Sequence, residues 1–276
     1  LKLFVKATEM AAYGASKFIG KNDKIAADQA AVDSMRKEFN SIKMDGKIVI
    51  GEGEMDEAPM LYIGEKVGTK KGQKLDIAVD PLEGTNFVAK NLRNSFSVCA
   101  VSEENKLFFA PDTYMEKIAI GANLPKNLVD LDNSVEKNIS LLSDAKNTTP
   151  DKLTVCILER PRHSEIIESL KKMNVRIKLI SDGDVSGVIY TVDQKSPVDM
   201  YIGIGGGPEG VLAAAALSCH GAQIQTRLVL NQEESIRAKK MGITDLKRKY
   251  NIDDMIKGDV IFCATAITDG DIVKGI

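Results

Sequence analysis

The sequence predicts a two-domain chain of two fold classes, α+β over residues 1–150 and α/β over residues 151–276. Three observations carry this. The first half opens on two amphipathic helical stretches and continues in short apolar runs that suit antiparallel neighbours. From residue 153 strand-like and helix-like runs alternate, the rhythm of βαβ units around a largely parallel sheet with helices on both faces. Between the two regimes, residues 121–151 are polar and irregular, with Pro125, Asn133 and the run Asn147-Thr148-Thr149-Pro150, which suits a domain boundary. At 276 residues the chain is long enough for two cores.

Residues 1–18 read as a helix, with Phe4, Ala7, Ala11, Ala15 and Phe18 on one face and Gly20 to stop it. Asp23 is suited to cap a second helix, which runs to Phe39 along the stripe Val32, Met35, Phe39. Asp28 continues that stripe one turn earlier. A carboxylate on an apolar face needs a partner: backbone amides, a lysine or a metal. Residues 47–50 form a short strand that leads into Gly51-Glu52-Gly53-Glu54-Met55-Asp56-Glu57, a glycine-punctuated acidic loop followed by the apolar segment 58–63. Glu52 lies nearest the strand tip and is favoured as a ligand over the other acids.

The stretch Asp76-Ile77-Ala78-Val79-Asp80-Pro81-Leu82-Glu83-Gly84-Thr85 is the densest in chemical groups. Its first half reads as a strand that Pro81 ends, since proline has no N–H for a ladder. Asp80 then sits at the strand tip and Glu83 in the turn. Gly84 lets the backbone bend, and Thr85 offers a hydroxyl at a helix start. Two readings stand side by side. One is an acidic surface turn with a capping threonine. The other is a carboxylate pair that a hard divalent cation relieves of repulsion and lost solvation. Residues 95–102 and 106–110 then read as a β-hairpin, and 115–120 as a further strand.

In the second half, strands are expected over 153–158, 175–180, 201–204 and 222–230, with helices over 163–173, 184–190 and 208–219. Ligands of such sheets bind beyond the C-terminal strand ends. Three of those ends carry polar groups: Arg160-Pro161-Arg162-His163, Asp182-Gly183-Asp184 and Gly205-Gly206-Gly207-Pro208-Glu209-Gly210. The last contains G-x-G-x-x-G, but Glu209 sits where a pyrophosphate should approach, and no acid ends the next strand to hold a ribose. Amides at a Pro208-initiated helix start favour an anion, and Glu209 there either faces the helix dipole or adds a carboxylate to a cation site. Arg160 and Arg162 suit phosphate, or surface ion pairs. His163 reads as the first residue of its helix rather than a catalyst.

Composition narrows the function classes. A net charge of −2 and 5% aromatic residues argue against a nucleic-acid groove. No apolar run reaches transmembrane length, and no basic leader with a cleavage site is seen. The chain opens on Leu1 rather than Met, so the true N-terminus is expected upstream. Cys99, Cys156, Cys219 and Cys263 are widely spaced, and three sit in apolar strand-like runs, as expected of reduced thiols in the cytoplasm. There is no P-loop, and two histidines leave no zinc trio. Acids at strand and helix ends in the first half, with anion-binding loops in the second, suggest divalent-metal phosphoester chemistry.

The stretch Asp80-Pro81-Leu82-Glu83-Gly84-Thr85 resembles the Asp-Pro-(Ile/Leu)-(Asp/Glu)-Gly-(Thr/Ser) signature of the lithium-sensitive, metal-dependent sugar phosphatases. The runs 48–68 and 201–210 are similar to the class II fructose-1,6-bisphosphatases of bacteria, and the resemblance covers nearly the whole chain. It implies a layered two-domain fold with alternating helix and sheet layers. It also implies hydrolysis of fructose 1,6-bisphosphate at the 1-phosphate, in gluconeogenesis in the cytoplasm, with Mn²⁺ or Mg²⁺ as cofactor and a homo-dimer or homo-tetramer as the assembly. No nucleic acid or membrane partner is implied. Asp28, in Lys24-Ile25-Ala26-Ala27-Asp28, matches a family metal ligand, as do Glu52, Asp80, Glu83 and Glu209. Thr85 matches the threonine that orients the attacking water, so Thr85, Asp80 and Glu83 are the implied catalytic group. Glu83, Gly84 and Thr85 match positions at the transferred phosphate. Tyr114, Arg160, Pro161, Arg162, Asp182, Gly183, Asp184 and Gly206 match sugar-phosphate contacts. Some cyanobacterial relatives also act on sedoheptulose 1,7-bisphosphate. Family members usually exceed 300 residues, and this chain is short between Leu230 and Met241 and at its C-terminal end. An inositol-type monophosphatase and a non-catalytic sugar-phosphate sensor are the alternatives.

Overall fold

A computed structural model describes residues 1–51, 61–109 and 111–276. Glu52 and the rest of the acidic loop lie outside the described residues. In chain order the elements are α1 (Lys2–Ser16), α2 (Lys24–Ser41), β1 (Met44–Ile50), β2 (Lys66–Val67), β3 (Gln73–Glu83), α3 (Thr85–Ala89), β4 (Phe96–Glu103), β5 (Tyr114–Ile120), α4 (Val135–Ala145), β6 (Thr154–Leu158), α5 (Ser164–Lys172), β7 (Arg176–Ile180), α6 (Asp184–Ile189), β8 (Met200–Gly206), α7 (Gly207–Ser218), β9 (Gln223–Val229), α8 (Gln232–Lys240), β10 (Lys249–Asn251), α9 (Ile252–Met255) and β11 (Val260–Ala266).

The chain divides into two compact units, residues 1–112 with 255–276, and residues 113–254. A single cut near residue 150 does not describe this division. The reason is pairing: β5 hydrogen-bonds between β8 and β9 in the second unit, while β11 returns to lie on β4 in the first.

In the first unit the sheet order is β11-β4-β3-β1-β2. Alternate residues of three strands, Ile77 and Val79 of β3, Cys99 and Val101 of β4, and Cys263 of β11, share a core with α1 and α2. The helices meet them through Ala7, Ala11, Ala15, Ala27 and Ala31, small side chains that let the layers approach closely, with Met35 and Phe39 completing the core. Asp23 caps α2, accepting a hydrogen bond from Ala26 N at 3.0 Å.

Two expectations for this unit are corrected. Pro81 does not end β3, which runs on to Glu83. Among the described residues the β1 ladder reaches only Ala78, and none of them asks for an N–H from residue 81 on that side. On the other side the β3–β4 register shifts between Asp80 and Glu83, a bulge that accommodates proline. Among the described residues the expected hairpin of 95–102 with 106–110 does not form either. β4 pairs with β3 and β11, and 106–109 contribute one isolated bridge, Leu107 to Ile256. Asp76, 3% exposed, accepts hydrogen bonds from Lys106 N and Leu107 N at 3.1 and 3.4 Å and turns the chain away there.

The second unit has the sheet order β10-β9-β5-β8-β6-β7. β6, β7 and β8 are parallel, as the βαβ rhythm predicts. β5 runs antiparallel to both β8 and β9, so the sheet is mixed rather than largely parallel. Helices cover both faces. Ile118, Ile120, Val155 and Ile157 share one core with Ile139 and Leu142 of α4 and Leu170 of α5. The opposite face of β5, with Met115 and Lys117, lies against Gly210 of α7. The stretch 121–151, expected to be irregular, contains α4, capped by Ser134, whose side chain accepts from Lys137 N. The compact 231–241 stretch forms α8 on a capping box between Asn231 and Glu234. Cys99, Cys156 and Cys263 are buried free thiols, and Cys219 is exposed. No helix among the described residues is long and apolar enough to cross a membrane.

Candidate active site

In the first unit the residues 80–85 stand at the C-terminal end of β3. Asp80 is half-buried and its Oδ1 accepts the Leu82 N–H at 3.1 Å, so the carboxylate stabilises its own bulge. Glu83 is 3% exposed, and its carbonyl accepts the Ser95 hydroxyl at 2.8 Å. Ser95 is tied in turn to Thr268 Oγ1 through its N–H at 3.1 Å, so the turn is anchored to the end of β11. Gly84 has φ +76°, ψ +56°, the left-handed conformation that glycine adopts at no cost. A Cβ there would also lie 2.6 Å from the Phe87 ring. Thr85 is the first residue of α3 and half-buried. Asp28 lies on α2, one turn before Val32, half-buried and with Oδ1 shielded from solvent.

In the second unit the parallel strands β6, β7 and β8 bring their C-terminal ends to one edge, and antiparallel β5 brings its N-terminal end there, with Tyr114 paired to Gly206. All the second-half candidates converge on this edge. Arg160 donates to Ser181 O at 2.7 Å, bridging the β6 and β7 ends. Arg162 donates through Nε and Nη2 to Ile204 O at 3.1 and 2.7 Å, and its guanidinium stacks 4.8 Å from the Tyr114 ring centre. Pro161 opens the short turn between them. Gly183 repeats the left-handed conformation of Gly84, at φ +79°, ψ +60°, with Asp182 before it and Asp184 opening α6 after it. Glu209, in the first turn of α7, folds its carboxylate back over Gly206, where a Cβ would lie 1.9 Å from Oε2.

Two side chains brace this edge in a way the sequence did not reveal. His163 is fully buried, with Nδ1 2.7 Å from Leu158 O and Nε2 accepting the Ile204 N–H at 2.8 Å. The acceptor role of Nε2 puts the proton on Nδ1, and burial, the largest effect, lowers its pKa from the usual value. Lys117 is 1% exposed and paired with Asp184. The signal for Lys117 lay in the alternation of Met115, Lys117 and Ala119, which places a lysine on a buried strand face.

Among the described residues, no three His, Cys, Asp or Glu side chains gather into a group able to hold a metal ion. The donors named from the resemblance include Glu52, which lies outside those residues. The donor set nevertheless has the right chemistry for a hard divalent ion: all are carboxylates, Glu83 is buried, and single oxygens of Asp28 and Glu209 are shielded.

A family model described as bacterial fructose-1,6-bisphosphatase, glpX-encoded, matches residues 1–276. The D-fructose 1,6-bisphosphatase class 2/sedoheptulose 1,7-bisphosphatase of Microcystis aeruginosa is 42% identical over 298 residues, covering 99% of this chain and 86% of that protein. The fructose-1,6-bisphosphatase class 2 of Haemophilus influenzae is 41% identical over 287 residues, with the same coverage of 99% and 86%. Of solved structures, an inositol monophosphatase from Anabaena aligns over 82% of each chain at 13% identity and a TM-score of 0.42. With the match running from the first residue to the last, the chain belongs to the glpX-encoded family of bacterial class 2 fructose-1,6-bisphosphatases.

Proposed function

We propose that this chain hydrolyses the 1-phosphate of fructose 1,6-bisphosphate, giving fructose 6-phosphate and inorganic phosphate in gluconeogenesis. The observation that carries this reading is identity above 40% over almost the whole chain with relatives named for that activity. The cofactor is Mn²⁺ or Mg²⁺, with Asp28, Glu52, Asp80, Glu83 and Glu209 as the side chains that would hold it. When bound, such an ion supplies charge neutralisation and a water of lowered pKa.

The chain's own residues have separate tasks. The Thr85 hydroxyl, at the start of α3 directly after a left-handed glycine, orients the attacking water. A carboxylate of Asp80 or Glu83 takes the proton, directly or through that hydroxyl. Backbone N–H groups of Gly84 and Thr85 hold the transferred phosphate. Arg160, Arg162 and Tyr114, with the 182–184 turn and Gly206, take the sugar and its distal phosphate. A guanidinium carries five donors, so the two that Arg162 gives to Ile204 O fix its plane for phosphate rather than consume it. Assembly as a homo-dimer or homo-tetramer belongs to the same reading.

The test is phosphate release with Mn²⁺ present from fructose 1,6-bisphosphate, sedoheptulose 1,7-bisphosphate and inositol 1-phosphate. The expected result is strong preference for a bisphosphate, with fructose 6-phosphate as the product of the first. Preference for inositol 1-phosphate, or release from none of the three, would overturn the reading. The sedoheptulose arm is included because the Microcystis relative carries that activity in its name.

A further inference from the structure

We propose that Lys117 is a positioning residue for substrate recognition, fixing the Asp184 carboxylate and with it the 182–184 turn. This rests on the bisphosphatase reading and adds a residue to it. Lys117 lies mid-strand in β5, one of the most enclosed positions of the second unit. Its ammonium pairs with Asp184 Oδ2, and Asp184 is itself only 6% exposed. With 1% exposure Lys117 cannot meet substrate, so any part it plays in recognition runs through Asp184.

The surroundings are built for this pair. A Cβ on Gly205 would lie 1.9 Å from Asp184 Oδ2 and 3.2 Å from Lys117 Nζ. A Cβ on Gly210 would lie 2.5 Å from Met115 Sδ and 3.2 Å from Lys117 Cε. Two glycines of the G-x-G-x-x-G run therefore make room for a buried lysine and its carboxylate, rather than for a nucleotide. The pair does not earn its place through stability, because burying two charges costs about what their attraction returns, and apolar residues of similar volume often fold as well. What it supplies is orientation. Gly183 in its left-handed conformation sets the turn on one side, Lys117 grips it from inside the sheet, and Arg160 and Arg162 are tied by backbone carbonyls along the same edge.

The experiment measures kcat and KM for fructose 1,6-bisphosphate and Mn²⁺ affinity by calorimetry, on the full chain. Two routes displace the same carboxylate: Lys117→Met removes the grip, and Gly205→Ala pushes Asp184 aside with Lys117 intact. The expected result is a KM raised at least about tenfold in each folded variant, with kcat and Mn²⁺ affinity within about threefold of the parent. A folded variant with the parent's KM overturns the positioning role alone. Parallel loss of kcat, KM and Mn²⁺ affinity marks a merely structural pair and overturns it too. A parent that releases no phosphate from the bisphosphate overturns the functional reading, and the role of Lys117 with it.

Discussion

Two turns of this molecule share one backbone and differ in what surrounds them. Glu83-Gly84-Thr85 ends β3, and Asp182-Gly183-Asp184 follows β7. Each places a left-handed glycine, at φ +76° and +79°, directly before a short helix. In the first, the residue after the glycine is a half-buried hydroxyl, and the turn is anchored through its backbone by Ser95 and Thr268. In the second, it is a buried carboxylate, anchored through its side chain by Lys117. Backbone anchoring leaves side chains available for chemistry, whereas side-chain anchoring spends the carboxylate on geometry. In the proposed function, the same local device serves reaction in one unit and recognition in the other.

Metal removal separates the two most sharply. EDTA treatment and dialysis should abolish phosphate release, and Mn²⁺ or Mg²⁺ should restore it, because the candidate residues include no other strong electrophile. Full turnover in a sample shown by elemental analysis to be metal-free would contradict the role given to the first turn. Next in size, Thr85→Ala should lower kcat at least ~100-fold, the scale of a lost catalytic positioning group. Thr85→Ser, which keeps the hydroxyl, should retain much of the rate.

Smaller effects are expected where a side chain only supports the recognition edge. His163→Leu would leave the Ile204 N–H and the Leu158 carbonyl without their present partner, a loss of roughly 1–3 kcal/mol readable in urea unfolding. Because burial lowers the His163 pKa, the unfolded chain binds the proton first as pH falls. Stability from this residue is therefore complete above the unfolded pKa of about 6.5 and is lost as pH drops below it. Melting temperatures at pH 7.5 and 5.5 should differ more for the parent than for His163→Leu. Smallest of all, Asp23→Ala, on the first unit's α2 cap and away from both turns, should cost ~1 kcal/mol with no change in KM.

The sequence made local features legible and left non-local ones hidden. The Asp23 cap, the βαβ rhythm from β6 to α7 and the polar strand ends could be read because each depends on neighbours in the chain. The insertion of β5 between β8 and β9 could not, since its partners lie eighty residues away or more. Pro81 misled because a missing N–H matters only where a partner strand asks for it, and that depends on where β1 stops. At the site, both acid-glycine turns were visible in the residues, while the side chains that orient them, Ser95 and Lys117, reach them from other elements. The glycines Gly205 and Gly210 were noticed as a motif, but the buried pair they accommodate becomes visible only in three dimensions.

The division of labour between the first unit's turn and the second unit's strand-end edge is tested most directly by steady-state kinetics with fructose 1,6-bisphosphate and saturating Mn²⁺, comparing the parent with Thr85→Ala and Arg162→Ala. Thr85→Ala should lose its rate through kcat, with KM within about threefold of the parent. Arg162→Ala, which removes a guanidinium stacked on Tyr114 and tied to Ile204, should raise KM about tenfold or more while kcat changes far less. The contradicting result is the reverse assignment, Thr85→Ala acting on KM and Arg162→Ala on kcat, or two variants that lose both in equal measure.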